Sequence, residues 1–243
     1  MSYRDTNALL VGGVEAEFQS NVQRFQHFLL GDLKYDPGKV KILLPISRAR
    51  LVDQTVSWFN DLMPVRNTSV VMLYTGHGLP GGVLPNGFEL TYNEWASLMR
   101  FEGDLFFIND ACYSGTSIDY FVSLGLVPRN ALVLASSRAN EKSYSSYFLD
   151  GLIEDYKNNK PFKREGIGPT IKGKIELVAP SNGKRTVKNI VYDFLLRRRG
   201  VDVVRSNSPG FREKYTEFEN PKVDVVQHPQ RFGKDLDHLL LKM

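Results

Sequence analysis

Apolar positions follow two rhythms over the first 158 residues. Short continuous runs rich in β-branched and aromatic residues read as buried strands. They are Ala8-Leu9-Leu10-Val11 before Gly12-Gly13, Val40-Lys41-Ile42-Leu43-Leu44 before Pro45, residues 69–75, Asp104 to Asn109, and Ala131 to Ala135. Between them, apolar residues recur at helical spacing. Phe18, Val22, Phe25, Phe28 and Leu29 form one stripe over 15–30, and Leu51, Val52, Val56, Phe59 and Leu62 another over 50–63. Further helices are expected from Thr91 to about Met99, from about Ser117, and over 145–158. Thr91 and Glu94 have the spacing of a capping box, which places that helix start. Residues 78–87, rich in glycine and proline, read as a loop.

Strands alternating with helices predict an α/β fold in three layers, a mostly parallel central sheet with helices on both faces. The stretch between Gly78 and Gly103 is long enough for a right-handed crossover, so the strands ending near 75 and 109 can be neighbours. The pattern loosens after Asn158. Residues 161–173 read as a linker or exposed loop, and 187–199 as a helix stopped by Arg197-Arg198-Arg199-Gly200. Val223 to Val226 reads as a short late strand. The division expected is a core over 1–159 and a basic portion over 160–243 that completes the same domain.

Charge sharpens this division. The net charge is +4, but residues 1–159 balance to −4 and residues 160–243 to +8. The basic third could touch nucleic acid or an acidic partner, and the plainer reading is a solvated face. No run of about 18 apolar residues exists, so no transmembrane helix is expected. The N-terminus lacks a basic-then-apolar leader. The single cysteine excludes an internal disulfide. The expected compartment is the cytoplasm, with no membrane contact. No metal-ligand spacing or phosphate-cradling glycine motif appears, so no cofactor or metal is expected.

Two strand ends carry chemistry. The run 70–75 leads into Gly76-His77-Gly78, and the run 104–109 into Asp110-Ala111-Cys112-Tyr113-Ser114-Gly115. Adjacent parallel strands would bring an imidazole and a thiol to the carboxyl edge, where open α/β sheets build their sites. That pair is the minimal machinery of a cysteine hydrolase. Cys112, lying between a strand end and a helix start, is expected near backbone dipoles that lower its pKa. His27, His228 and His238 have no comparable setting.

Both motifs resemble those of the caspase-like cysteine peptidases, the superfamily of caspases, metacaspases, legumain and bacterial relatives. The resemblance covers roughly 7–158 and continues weakly to the end. It implies that His77 is the general base and acid, that Cys112 is the nucleophile, and that the amides of Gly78 and Cys112 form the oxyanion hole. It places Asp110 in the pocket for the P1 side chain, the one before the scissile bond. Ser136 and Ser137 would form another wall, with Glu141 a further candidate and Arg138 ambiguous. Caspases have Gln where this chain has Asp110, so Asp-directed cleavage is not expected. The resemblance implies a peptidase acting on a protein or peptide, with Arg or Lys at P1 and Asn as the alternative. A transamidase, a silent protein-binding module and nucleic-acid binding are the rival readings. Control by a protein activator, or by processing within 160–185, is expected. Legumain-like enzymes have a histidine-orienting Asn where this chain reads Gly12-Gly13-Val14-Glu15, so no third catalytic residue is assigned. The acidic clusters of calcium-activated metacaspases are not evident.

Overall fold

The computed structural model describes residues 6–44, 47–62, 68–98, 103–123, 131–140, 142–143, 147–158, 171–176, 222–227, 230–233 and 236–240. The chain runs β1 (Thr6–Gly12), α1 (Ala16–His27), β2 (Val40–Leu43), α2 (Arg48–Leu62), β3 (Ser69–Thr75), β4 (His77–Leu79), β5 (Gly82–Leu84), β6 (Leu90–Thr91), α3 (Tyr92–Leu98), β7 (Asp104–Asp110), α4 (Thr116–Ser123), β8 (Ala131–Ala135), α5 (Tyr147–Lys157), β9 (Ile171–Glu176), β10 (Lys222–Gln227) and β11 (Gln230–Gly233).

Five strands form a parallel sheet and β11 closes one edge antiparallel to β8, in the order β11-β8-β7-β3-β1-β2. Every residue of β3 and β8 is buried. That explains why these strands are unbroken apolar runs rather than alternations: a parallel sheet covered on both faces has no wet side. Successive side chains still separate by face. Leu10, Leu73, Ile108 and Leu134 pack with Phe25 of α1 and Leu152 of α5. Leu9, Met72, Phe107 and Val133 pack with Phe59 of α2, Trp95 of α3 and Phe121 of α4. The three layers expected from the sequence are therefore present.

Phe107 illustrates the cost of disturbing this core. It is fully buried and stacks on Phe121 with ring centroids 5.3 Å apart and planes at 11°. Phe107→Ala is expected to lower stability by about 3–5 kcal/mol, from lost transfer energy and the cavity left behind. Urea denaturation measures it.

The capping box forms as expected. Thr91 N donates to Glu94 Oε2 at 3.0 Å, and Glu94 N donates to Thr91 Oγ1 at 3.2 Å. The backbone bond from Thr91 is the main cause holding the Glu94 carboxyl below its ordinary pKa. The stretch 78–87 differs from the expected loop. It lies within a small antiparallel sheet of β4, β5 and β6, in which His77 pairs with Leu84 and Gly78 with Val83. Strands of two or three residues, interrupted by Gly81 and Gly87, are too short to show a period.

The late strand expected over 223–226 lies within β10, which pairs with β9. The strand that closes the main sheet is β11. Residues 172–226 cluster as a unit apart from 1–171 and 227–243. On β11, Arg231 donates from both terminal nitrogens to Asp237 at 2.7 Å, and Tyr156 of α5 donates to the same carboxylate at 2.5 Å. These bonds pin the edge strand to the 236–240 segment. The helix expected over 187–199 and residues 161–170 of the expected linker fall outside the described residues. No helix among the described residues is long and apolar enough to cross a membrane.

Candidate active site

Four strand exits are tied together at backbone level. Beyond the ladder, Gly13 N donates to Thr75 O at 2.8 Å, Gly76 N to Asp110 O at 3.2 Å, and Ser136 N to Asn109 O at 3.0 Å. β1 pairs with β2 on one side and β3 on the other, so the sheet reverses direction of growth there. The exits of β1, β3, β7 and β8 carry Glu15, His77, Cys112 and Ser136 respectively.

His77 opens β4. Its carbonyl accepts from the buried Tyr74 hydroxyl at 2.9 Å. Burial raises the Tyr74 pKa well above its ordinary value, which keeps that donor protonated. The imidazole is fixed on two sides. The Phe18 ring meets it at 90° with centroids 4.9 Å apart, and Nε2 lies 2.9 Å from Glu15 Oε1. An ionised carboxylate only accepts, so Nε2 carries the proton, and in the neutral ring Nδ1 is the basic nitrogen.

Gly78 abuts the cysteine turn. A Cβ added there would sit 2.9 Å from Ala111 Cβ and still closer to the carbonyl oxygen of Cys112. Only a glycine lets the two turns approach this closely. The cysteine turn itself is bent through Tyr113, whose φ of +59° lies in the left-handed region, a strain of about 1–2 kcal/mol for a residue bearing a Cβ. Serine hydroxyls hold it. Ser136 Oγ and Ser137 Oγ donate to Ala111 O at 3.2 and 3.3 Å, and the Ser137 amide donates to Ser114 Oγ at 3.1 Å. Gly115 packs under the 137–139 backbone, with its missing Cβ 2.6 Å from Ala139 N.

The thiol of Cys112 differs from expectation. Its pKa is raised, because burial outweighs the opposing effects of the Ser143 backbone and the Lys142 charge. The sequence placed it near helix dipoles, but α4 starts only at Thr116, and the Cys112 sulfur instead lies 3.5 Å from the carbonyl oxygen of Ser143. A protonated thiol needs a base to reach its nucleophilic form.

Asp110 ends β7 with its carboxyl buried. Thr75 Oγ1 donates to Oδ2 at 3.1 Å and Ser143 Oγ to Oδ1 at 3.4 Å. Burial raises its pKa to about 6, against the hydrogen bonds from Thr75, Ser136 and Ser143. The hydroxyls of Thr75 and Ser143 donate to it, and the Ser136 hydroxyl, which donates to Ala111 O, lies close by. Ser136 and Ser137 are fully buried beneath the cysteine turn, and Arg138 is exposed. Glu141 lies outside the described residues. No group of three or more His, Cys, Asp or Glu among the described residues could hold a metal ion.

No family model and no curated protein sequence matches the chain. The chain is similar in fold to caspase-like structures. Caspase-1 from Spodoptera frugiperda matches at 13% identity and a TM-score of 0.47, covering 96% of this chain and 88% of that one. A secreted C11 cysteine protease from Bacteroides thetaiotaomicron, in complex with an irreversible peptide inhibitor, matches at 12% identity and 0.39, covering 86% and 62%. Raptor from Chaetomium thermophilum matches at 15% identity and 0.39, covering 56% of this chain, which spans only 15% of that protein. These identities speak of fold and not of activity.

Two residues at this sheet edge escape the sequence reading. Glu15 is 62 positions from His77, and only the placement of β1 beside β3 brings them together. Ser143 reaches both Asp110 and Cys112 from a segment without periodicity.

Proposed function

We propose that the chain is a cysteine endopeptidase that cleaves after Lys or Arg. The observation that carries this reading is the close approach of the His77-Gly78 turn to the Cys112 turn, which brings an oriented imidazole and a thiol to one sheet edge. His77 takes the thiol proton at Nδ1, with Glu15 holding Nε2–H and stabilising the imidazolium. The Cys112 sulfur attacks the scissile carbonyl carbon. The amides of Gly78 and Cys112 receive the oxyanion. The intermediate collapses to a thioester and His77 returns the proton to the leaving amine. Water, deprotonated by His77, then releases the acid product.

Asp110 supports the cationic P1. A carboxylate surrounded by hydroxyls and buried from water gains most from an incoming ammonium or guanidinium. The same raised pKa supports a second reading. Below about pH 6 Asp110 is neutral and can donate to an amide. Preference for Lys or Arg is thus expected above pH 6, with Asn gaining ground below it.

Cleavage of a peptide panel varying only P1 (Arg, Lys, Asn, Asp), from pH 5 to 8, tests the reading with Cys112→Ala as control. Turnover after Arg or Lys that needs Cys112 supports it. Folded protein that cleaves none of the panel overturns it.

Glu15→Gln is expected to lower kcat by about 10–100-fold with KM little changed, since it removes the charge that stabilises the imidazolium but can still accept from Nε2–H. Steady-state kinetics on the best panel peptide measures this.

A further inference from the structure

A line of buried polar side chains runs from Asp110 to the protein surface. Asn21 of α1 and Thr75 of β3 are both fully buried. Asn21 Nδ2 donates to Thr75 Oγ1 at 3.0 Å, and Thr75 Oγ1 donates to Asp110 Oδ2 at 3.1 Å. Arg24 Nη2 donates to Asn21 Oδ1, while Arg24 Nη1 pairs with Asp150 of α5 at 2.5 Å, where both side chains are partly exposed.

The direction of this line is fixed by chemistry. A guanidinium only donates, so the Asn21 oxygen must face Arg24 and its amide nitrogen must face Thr75. The Thr75 hydroxyl accepts there, and its single proton is left for Asp110. Every bond therefore points toward the carboxylate and favours its ionised form, each polarising the next. The burial of Asp110 and the negative charge of Asp150 work the other way. The remaining groups facing Asp110 are the hydroxyls of Ser136 and Ser143, with Tyr74 and Cys112 interacting electrostatically.

We propose that Arg24 and Asp150 tune the charge of Asp110 through Asn21 and Thr75, and so set from the surface how strongly a cationic P1 side chain is selected. Arg24 and Asp150 touch no substrate. They act through Asp110 and are positioning residues in the electrostatic sense. Arg24 favours the carboxylate by polarising the line, and Asp150 opposes it both directly and by drawing on the Arg24 charge. The effect on substrate choice rests on the peptidase reading, whereas the effect on Asp110 does not.

The test is a ¹³C carboxyl NMR titration of the full chain labelled at aspartate, with the Asp110 signal identified by its loss in Asp110→Asn. Arg24→Gln is expected to move the Asp110 midpoint up by about half a pH unit or more, and Asp150→Asn to move it down by a similar amount. Thr75→Val, which keeps the β-branched shape, is expected to move it up further. The two surface variants keep the test open should Thr75→Val fold poorly. An unmoved midpoint in both surface variants, or a shift in the same direction, overturns the proposal. The acid limb of Arg-P1 cleavage is then expected to follow the midpoint in each variant. Shifted midpoints with no cleavage by the wild-type chain would leave the relay standing and remove the peptidase reading. A limb that ignores shifted midpoints would overturn the link to substrate selection.

Discussion

Gly78→Ala is expected to lower kcat/KM by at least about 10²–10³-fold, the loss typical of one displaced oxyanion donor. The new methyl group would overlap the Cys112 carbonyl and press on Ala111 Cβ. Neither side can retreat easily. Gly78 is held by pairing with Val83, and the Ala111 carbonyl accepts from Ser136 and Ser137 beneath it. The two turns must part, which moves the amide of residue 78 away from the carbonyl it should serve. Overpacking of this kind also costs about 1–3 kcal/mol of stability. Gly151→Ala is the matching control, because a Cβ in that α5 position meets nothing within 4 Å. It is expected to keep activity and gain about 0.5–1 kcal/mol from helix propensity. Kinetics and thermal melts of both variants separate a local clash from a general intolerance of alanine.

Asp110→Asn is expected to gain stability relative to wild type as pH rises, while losing selectivity. The Asp110 carboxyl has a pKa of about 6 in the folded chain against an ordinary value of 3.8. The folded chain thus holds this proton more tightly than the unfolded one. Below pH 3.8 both states are protonated and burial of the group carries no ionisation penalty. As pH rises through 6 the folded state must ionise a buried carboxyl, and stability falls by about 3 kcal/mol. Asparagine never ionises. The variant's stability relative to wild type should therefore rise by about 3 kcal/mol between pH 3 and pH 7. For a domain of this size that corresponds to a melting difference of about 6–12 °C. Paired melts at the two pH values measure it. In the same variant, cleavage after Arg or Lys should fall by about 10²–10³-fold, as when one partner of a buried ion pair is lost. Cleavage after Asn should fall much less.

The fold is legible in the sequence wherever burial is complete. β3, β7 and β8 are covered on both faces, so their residues form unbroken apolar runs, and Thr91 with Glu94 announces α3 through a purely local pair of bonds. The site is legible only in part. The turns holding His77 and Cys112 can be placed from the strands that lead into them. The contact of Glu15 with His77 depends on β1 lying beside β3, a long-range fact that no local spacing encodes. The pKa of Cys112 is hidden for a related reason. It is governed by burial and by Lys142 and Ser143, some 30 positions on, not by the strand end and helix start that the sequence displays. The Ser136 and Ser137 hydroxyls bond the Ala111 carbonyl of the cysteine turn, a partner that composition alone does not name.

The central claim is that Cys112 is a nucleophile addressed through a cation-selecting pocket. Intact-mass analysis of the chain treated with peptidyl acyloxymethyl ketones bearing Arg or Asp at P1 tests it most directly. The account predicts a single adduct with the Arg reagent, mapped to Cys112, absent in Cys112→Ala and in His77→Ala, and little or no adduct with the Asp reagent. A folded wild-type chain left unlabelled by the Arg reagent, or labelled equally by both, would contradict it.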